Sequence, residues 1–228
     1  MMEVPKNLAC YVALISLFYT YTDGFRLSHT WTYCILKTFP CSILGLLVFL
    51  EHTPLTGTQA KQQAIGLVFG ALGDFLIALH EDGLTTGAVS FAVGHLFYMA
   101  IFAPRVKQVS KEFTFIILAY GAVMNHFFLI PNLSIHPIST LILMVYSLIL
   151  CTALVLSGSI YFHGTTDKPP KQSNDLTRFL GYSLFFISDS LLLLRSVGSS
   201  FPYDQLAILS TYFAAQYLIL TGTTNEVV

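Results

Sequence analysis

Charge is what this chain has least of. Lysine, arginine, aspartate and glutamate make up 10% of its 228 residues, against roughly 25% in an ordinary soluble domain. The net charge is −1. With no basic surplus to meet a phosphate backbone, nucleic acid is not an expected partner. Cysteine is scarce too. Cys10, Cys34, Cys41 and Cys151 all fall in apolar stretches, with neither metal-site spacing nor a disulfide framework. They read as small buried hydrophobes. What fills the chain instead is apolar: 54% of residues are hydrophobic and the mean hydropathy is +0.69. This is the composition of an integral membrane protein, and at this length one domain spanning 1–228 is expected.

A helix needs about 20 mostly apolar residues to cross the hydrocarbon. Eight such stretches predict an all-α membrane protein with spans near 7–23, 32–50, 62–80, 84–103, 112–130, 138–161, 178–195 and 205–222. The first could pass for a signal peptide after Lys6. No small-x-small cleavage site follows it, so it reads as a membrane helix. Breakers separate the spans: Thr53-Pro54-Leu55-Thr56-Gly57, Pro131-Asn132, Pro169-Pro170 and Ser199-Ser200-Phe201-Pro202. The longest polar connector runs from His163 to Asp175. Lys6, Lys61, Arg105, Lys107, Lys111, Lys168, Lys171 and Arg178 fall on the side where the chain begins. Arg26 and Arg195 fall opposite. Positive charge favours the cytoplasm, so both termini are predicted there.

Two segments resemble each other. Gly66 to Leu79 and Gly181 to Leu194 each begin with Gly, reach an Asp eight residues later (Asp74, Asp189) and end in an aliphatic run. They lie in the third and seventh spans, four apart, and so run in the same direction. Two parallel four-helix repeats are one reading. Chance similarity between apolar helices is the other.

Carboxyl groups inside membrane helices are costly to bury, which makes both Asp functional candidates. Asp74 shares a helix face with Gly70 and Gly66, at steps of four. Small residues on that stripe admit a neighbouring helix, so the Asp is expected to face the bundle interior. Asp189 shares a face with Gly181 and Phe185, and Ser188 is placed to donate a hydrogen bond nearby. The plain alternative is an inter-helix polar tie. Lys37 lies just inside the second helix before Pro40. It either snorkels to the interface or serves as a buried counter-charge or phosphate ligand. His95 and Tyr98 share a face of the fourth helix, and Tyr212 and Gln216 share a face of the eighth. Asn125 and His126 lie midway along the fifth. Singly, each is an ordinary hydrogen-bonded core residue. Together with two acids and a lysine they predict one polar cavity within the bundle.

Two other chemistries fit poorly. Zinc would want about three ligands, usually with a short-spaced pair. There is no His-x-x-x-His, although His95, His126 and the two Asp remain conceivable ligands. No metal and no cofactor is expected. An intramembrane aspartyl protease would carry Gly-x-Gly-Asp, whereas Ala71-Leu72-Gly73-Asp74 stands here and no Pro-Ala-Leu follows.

The ordered pieces Leu36-Lys37-x-x-Pro40, Gly66-Leu-Val-Phe-x-x-x-Gly73-Asp74, Gly94-His95-x-x-Tyr98, Phe185-Phe-Ile-Ser188-Asp189 and Ser210-Thr211-Tyr212-x-Ala214-Ala215-Gln216 resemble the YhhN-like lysoplasmalogenase family. The similarity runs from the second helix to the end and follows the family's eight-helix plan. The fifth and sixth helices match only in hydrophobicity. The resemblance implies a hydrolase of the vinyl ether bond of lysoplasmalogens, releasing a fatty aldehyde and glycerophosphocholine or glycerophosphoethanolamine. It also implies residence in the endoplasmic reticulum. A vinyl ether is cleaved by acid, which requires one carboxylic acid to donate a proton and one carboxylate to steady the cation or activate water. Glycosidases divide those jobs between two carboxyl groups for a related cation. Asp74 and Asp189 would be that pair and would titrate as a unit. His95, Tyr98, Ser188, Tyr212 and Gln216 would support water and the hydroxyl end, and Lys37 would neutralise an acid or hold the phosphate. A small proton-coupled transporter and a non-catalytic lipid-binding protein are the competing functions.

Overall fold

The computed structural model describes residues 6–50, 55, 57–166 and 172–224. Among them the apolar runs form eight α-helices: α1 (Lys6–Tyr21), α2 (Trp31–Phe49), α3 (Gly57–Leu79), α4 (Gly83–Phe102), α5 (Lys111–Met124), α6 (Pro137–His163), α7 (Gln172–Ser196) and α8 (Asp204–Thr224). After Met124, α5 widens into a π turn, Asn125–Leu129, and then tightens into a 3-10 turn, Ile130–Asn132. From α2 to α8 every helix, counting α5 through Asn132, is long and apolar enough to cross a bilayer. With 16 residues, α1 is about 24 Å long and falls short of the roughly 30 Å hydrocarbon layer.

Two helices start earlier than hydropathy predicts: α3 at Gly57 and α7 at Gln172. Their first turns are polar. Hydropathy therefore stops at the bilayer boundary while the backbone goes on bonding to itself. The polar connector is correspondingly shorter, and Asp175 lies inside α7. Arg178 is not a loop charge. It is buried, with Nη2 2.7 Å from Asp175 Oδ1 and its guanidinium 5.0 Å from the Phe102 ring centre. Lys168, Lys171, Pro169-Pro170 and Thr53-Pro54 lie outside the described residues. Alternating helix directions still put Lys61, Arg105, Lys107 and Lys111 at the end of the bundle where the chain begins, with Arg26 and Arg195 opposite.

Neighbouring helices follow the order α1, α2, α3, α4, α6, α7, α8. Tyr11 closes the ring: its hydroxyl donates to the Phe213 carbonyl at 2.9 Å, and it stacks on Tyr217 of α8. α5 sits outside, against α6 and, through the Tyr120–Phe186 and Phe113–Phe179 ring pairs, against α7. In lipid, helices associate by close packing rather than by hydrophobic burial, which favours small residues at the contacts. Gly66 provides such a contact, since a methyl group there would fall on the Tyr98 ring of α4. Gly181 provides the matching one, where a methyl would come 2.8 Å from the Ile219 amide nitrogen of α8. Each Asp-bearing helix is thereby locked to the helix that follows it. Cys34, Cys41 and Cys151 are buried as expected. Cys10 is exposed, so its thiol faces out from α1 rather than into the core.

Candidate active site

Asp74 and Asp189 each stand 17 residues beyond the first residue of their helix. This puts both in the half of the bundle away from the termini. Their surroundings differ. Asp74 is 1% exposed and meets Lys37 of α2, whose Nζ lies 3.5 Å from Oδ1. On its other oxygen it accepts a 2.6 Å hydrogen bond from the Tyr212 hydroxyl of α8. That hydroxyl has one proton and has given it to Asp74, so Gln216 must donate to it through Nε2, at 3.2 Å. Tyr98 donates in turn to Gln216 Oε1 at 3.2 Å. The chain Tyr98, Gln216, Tyr212, Asp74 thus points every donor toward the carboxylate, and each bond polarises the next. Cys41 Sγ, 3.4 Å from the Tyr212 oxygen, completes its surroundings. Burying a charge is tolerable only with such pairing and hydrogen bonding.

Asp189 accepts a short hydrogen bond on Oδ2 from the Tyr146 hydroxyl of α6. Among the described residues no cation stands at ion-pair distance from it.

Lys37, Asp74, Asp189 and Tyr212 line one polar cavity of about 300 Å³. His29 and Glu81 are exposed and Arg195 and Gln205 half-buried among its lining residues, so they mark its mouth. These belong to the ends of α7 and α8 and the loops after α1 and α3, all on the side opposite the termini. Asp189 also borders a second, apolar cavity of about 80 Å³ beside α5.

Not every expected residue reaches the polar cavity. Tyr98 and Gln216 stand behind Tyr212 and act on Asp74 only through it. Ser188 lines the cavity, but its hydroxyl donates to the Ile208 carbonyl at 2.9 Å and so ties α7 to α8. His95 is outside the cavity walls. It is 1% exposed, enclosed by the rings of Phe185, Tyr182 and Tyr98, and among the described residues neither ring nitrogen has a hydrogen-bond partner. Asn125 lines the apolar cavity instead, and His126 is exposed. The single polar cavity predicted from these residues is therefore smaller, with a hydrogen-bonded chain behind it. Tyr146 was missed. It is one of several hydroxyl-bearing residues along α6, among them Thr140, Ser147, Thr152 and Tyr161, and nothing in their spacing singles it out. Among the described residues no group of three or more His, Cys, Asp or Glu side chains gathers as a metal would need.

The YhhN family matches residues 32–223, from the start of α2 to the end of α8. This chain is a member of the YhhN family. Curated relatives include the lysoplasmalogenase TMEM86A of Bos taurus, 30% identical over 87% of this chain and 81% of that protein. The lysoplasmalogenase TMEM86B of Sus scrofa is 28% identical over 86% of this chain and 77% of that protein. A membrane protein named YhhN from Escherichia coli is 27% identical over 84% of this chain and 86% of its own length. No solved structure matches. The family match spans the whole of the Asp74 and Asp189 arrangement. The short α1 lies outside it.

Proposed function

We propose that this YhhN-family protein is a lysoplasmalogenase, hydrolysing the vinyl ether of lysoplasmalogens with Asp74 and Asp189 as its acid–base pair. The observation that carries the mechanism is the unlike partnering of two carboxyl groups on one cavity. Asp74, with a cation on one oxygen and a hydroxyl donor on the other, suits the carboxylate role. Asp189, with one tyrosine hydroxyl and no cation at ion-pair distance among the described residues, suits the acid.

The steps balance as follows. Asp189 gives its proton to the outer alkene carbon, and the remaining positive charge is shared between the inner carbon and the ether oxygen. Asp74 faces that cation and takes a proton from water as its oxygen bonds to the inner carbon. The hemiacetal so formed loses its hydroxyl proton and breaks its bond to the glycerol oxygen, which is protonated on leaving. One water is consumed, and a fatty aldehyde and a glycerophospho-alcohol result. Asp189, now ionised, can receive the hemiacetal proton, and the proton held by Asp74 goes to the departing oxygen, so both acids return to their starting states. Lys37 holds Asp74 in place and offers positive charge toward the phosphate. The Tyr98–Gln216–Tyr212 chain fixes the carboxylate orientation. The endoplasmic reticulum is the compartment this reading carries.

Aldehyde release tests it. Purified protein is given lysoplasmenylcholine and, separately, the saturated ether analogue, with and without EDTA. We expect release from the vinyl ether only, unaffected by EDTA. Release should fall by at least about a hundredfold in Asp74→Asn and in Asp189→Asn, the scale of a lost general acid or base. Activity surviving both substitutions would overturn the mechanism. Loss with EDTA would point to a metal. No aldehyde from folded wild type would favour the transporter.

A further inference from the structure

The apolar cavity beside α5 has no part in the chemistry above, yet it shares a wall with the site where that chemistry occurs. Ile77, Leu84, Phe91, Asp189 and Leu192 border both cavities. Beyond them the second cavity is enclosed by Met124, Leu129, Leu143, Leu150 and Phe186, which come from α5, α6 and α7. Polar groups are few there. Tyr146 is turned to Asp189, Ser190 donates to the Phe186 carbonyl, and Asn125 Nδ2 donates to the Gly121 carbonyl at 2.7 Å and to Ser147 Oγ. Asn125 Oδ1 is the buried polar atom there that has no partner among the described residues.

The π turn at Asn125–Leu129 shapes this wall. Widening the helix by one residue shifts its phase, and it leaves Gly121, Met124, Asn125 and Leu129 on the same cavity. Single π turns within α-helices are frequent at functional sites. α5 is also the helix outside the ring, with Phe115 and Ile116 facing out, so the cavity lies between the ring and the lipid.

We propose that this cavity is a binding site for a single hydrocarbon chain, and that it receives the first carbons of the alkenyl tail beyond the double bond. The proposal rests on the lysoplasmalogenase reading and extends it. A lysoplasmalogen changes from polar to apolar at its vinyl ether. Glycerol and phosphate lie on one side of that bond and hydrocarbon on the other. The two cavities make the same change, and Asp189 stands on the boundary. With the head group in the polar cavity and the chain in the apolar one, the alkene carbon is brought to Asp189. The apolar cavity is small, so it holds the proximal carbons and the rest of the tail runs out beside α5 into the bilayer. Chain burial then places the reacting bond, and binding energy from the unreactive tail is used to orient it.

The test has a binding arm that needs no turnover. Full-length protein in lipid nanodiscs is irradiated with a saturated ether lysophosphatidylcholine carrying a diazirine a few carbons from the ether oxygen, and adducts are mapped by mass spectrometry. Adducts on Met124, Leu129 or Leu143 that fade with added lysoplasmenylcholine are expected, in wild type and in Asp189→Asn alike. Adducts confined to Phe115, Ile116 and other outward residues would overturn the proposal. The kinetic arm compares Met124→Trp with Met124→Ala on lysoplasmenylcholine and on the tailless ethenyl ether of glycerophosphocholine. Trp should raise KM for the long-chain substrate by about tenfold, as expected for the loss of a few methylene contacts, with a much smaller change for the ethenyl compound. Equal losses on both substrates, or none, would overturn it. Labelling in the cavity without aldehyde release would leave the chain site standing and refute the hydrolase. Hydrolysis with labelling elsewhere would refute the chain site alone.

Discussion

Replacing Lys37 by Met removes the one cation that, among the described residues, stands at ion-pair distance from the buried Asp74. The two side chains are 8% and 2% exposed and 3.5 Å apart. At an effective dielectric of about 20, two unit charges at that distance attract by about 5 kcal/mol. Desolvation of both ions takes much of this back, so the intact pair adds little net stability. Removing one member is different, because the other is left buried alone at a cost of about 3–5 kcal/mol. For a chain of this size that is a fall in Tm on the order of 10 °C. Asp74→Asn should cost less, since the long stem of Lys37 lets its ammonium group turn toward the cavity mouth. The double variant Lys37→Met/Asp74→Asn should recover most of the stability lost in Lys37→Met, with a coupling of about 1–3 kcal/mol between the sites. The assay is thermal unfolding of the four proteins in one detergent, followed by aldehyde release from each. Stability should return in the double variant and activity should not, which separates the pair's structural role from the chemical one. If the two single losses add to within about 0.5 kcal/mol, the contact is incidental and the description of Asp74 as a stabilised carboxylate fails.

Tyr146→Phe removes one hydroxyl and leaves the ring. If that hydroxyl positions Asp189, aldehyde release should fall by about ten- to a hundredfold, as for a hydrogen bond to a charged or reacting group, with KM little changed. An unchanged kcat would deny Tyr146 that role. Gly66→Ala would drive a methyl into the Tyr98 ring and destabilise the protein by about 1–3 kcal/mol. Thermal unfolding reads the loss, and Tyr98→Ala in the same chain should relieve part of it. Because the mouth residues Glu81, Arg195 and Gln205 lie opposite the termini, sealed vesicles with the termini outside should release glycerophosphocholine into the lumen. Release into the outer medium would contradict that sidedness.

The fold was legible because a bilayer imposes one demand on every segment, an apolar helix of sufficient length, and composition reports that directly. The errors fall where the demand is absent. The first turns of α3 and α7 stand outside the hydrocarbon, so polar residues there are no sign of a helix end. Arg178 looked like a loop charge for the same reason, although Asp175 and Phe102 hold it buried within α7. The Asp74 site was legible through pattern. Asp74, Lys37, Tyr212 and Gln216 are each out of place in an apolar helix, and two of them recur at helical spacing.

What sequence could not give was which polar residues face each other across helices. Along the chain His95 stands out, paired with Tyr98 on one helix face, whereas Tyr146 does not. Folding puts the His95 ring behind Phe185, away from the cavity, and brings the Tyr146 hydroxyl onto Asp189. The difference lies in how the backbones pack: Gly94 brings α4 so close to α3 that a methyl there would come 3.0 Å from the Gly66 carbonyl oxygen, and neither polar side chain makes that contact. The same packing separates the fates of the two matched acids. Alike in sequence and in depth, Asp74 and Asp189 differ because α2 supplies a lysine to one and α6 supplies a tyrosine to the other. A repeat that began symmetric would have to lose that symmetry to make one carboxyl a base and the other an acid, and here α2 and α6, four spans apart like α3 and α7 but unlike in sequence, break it.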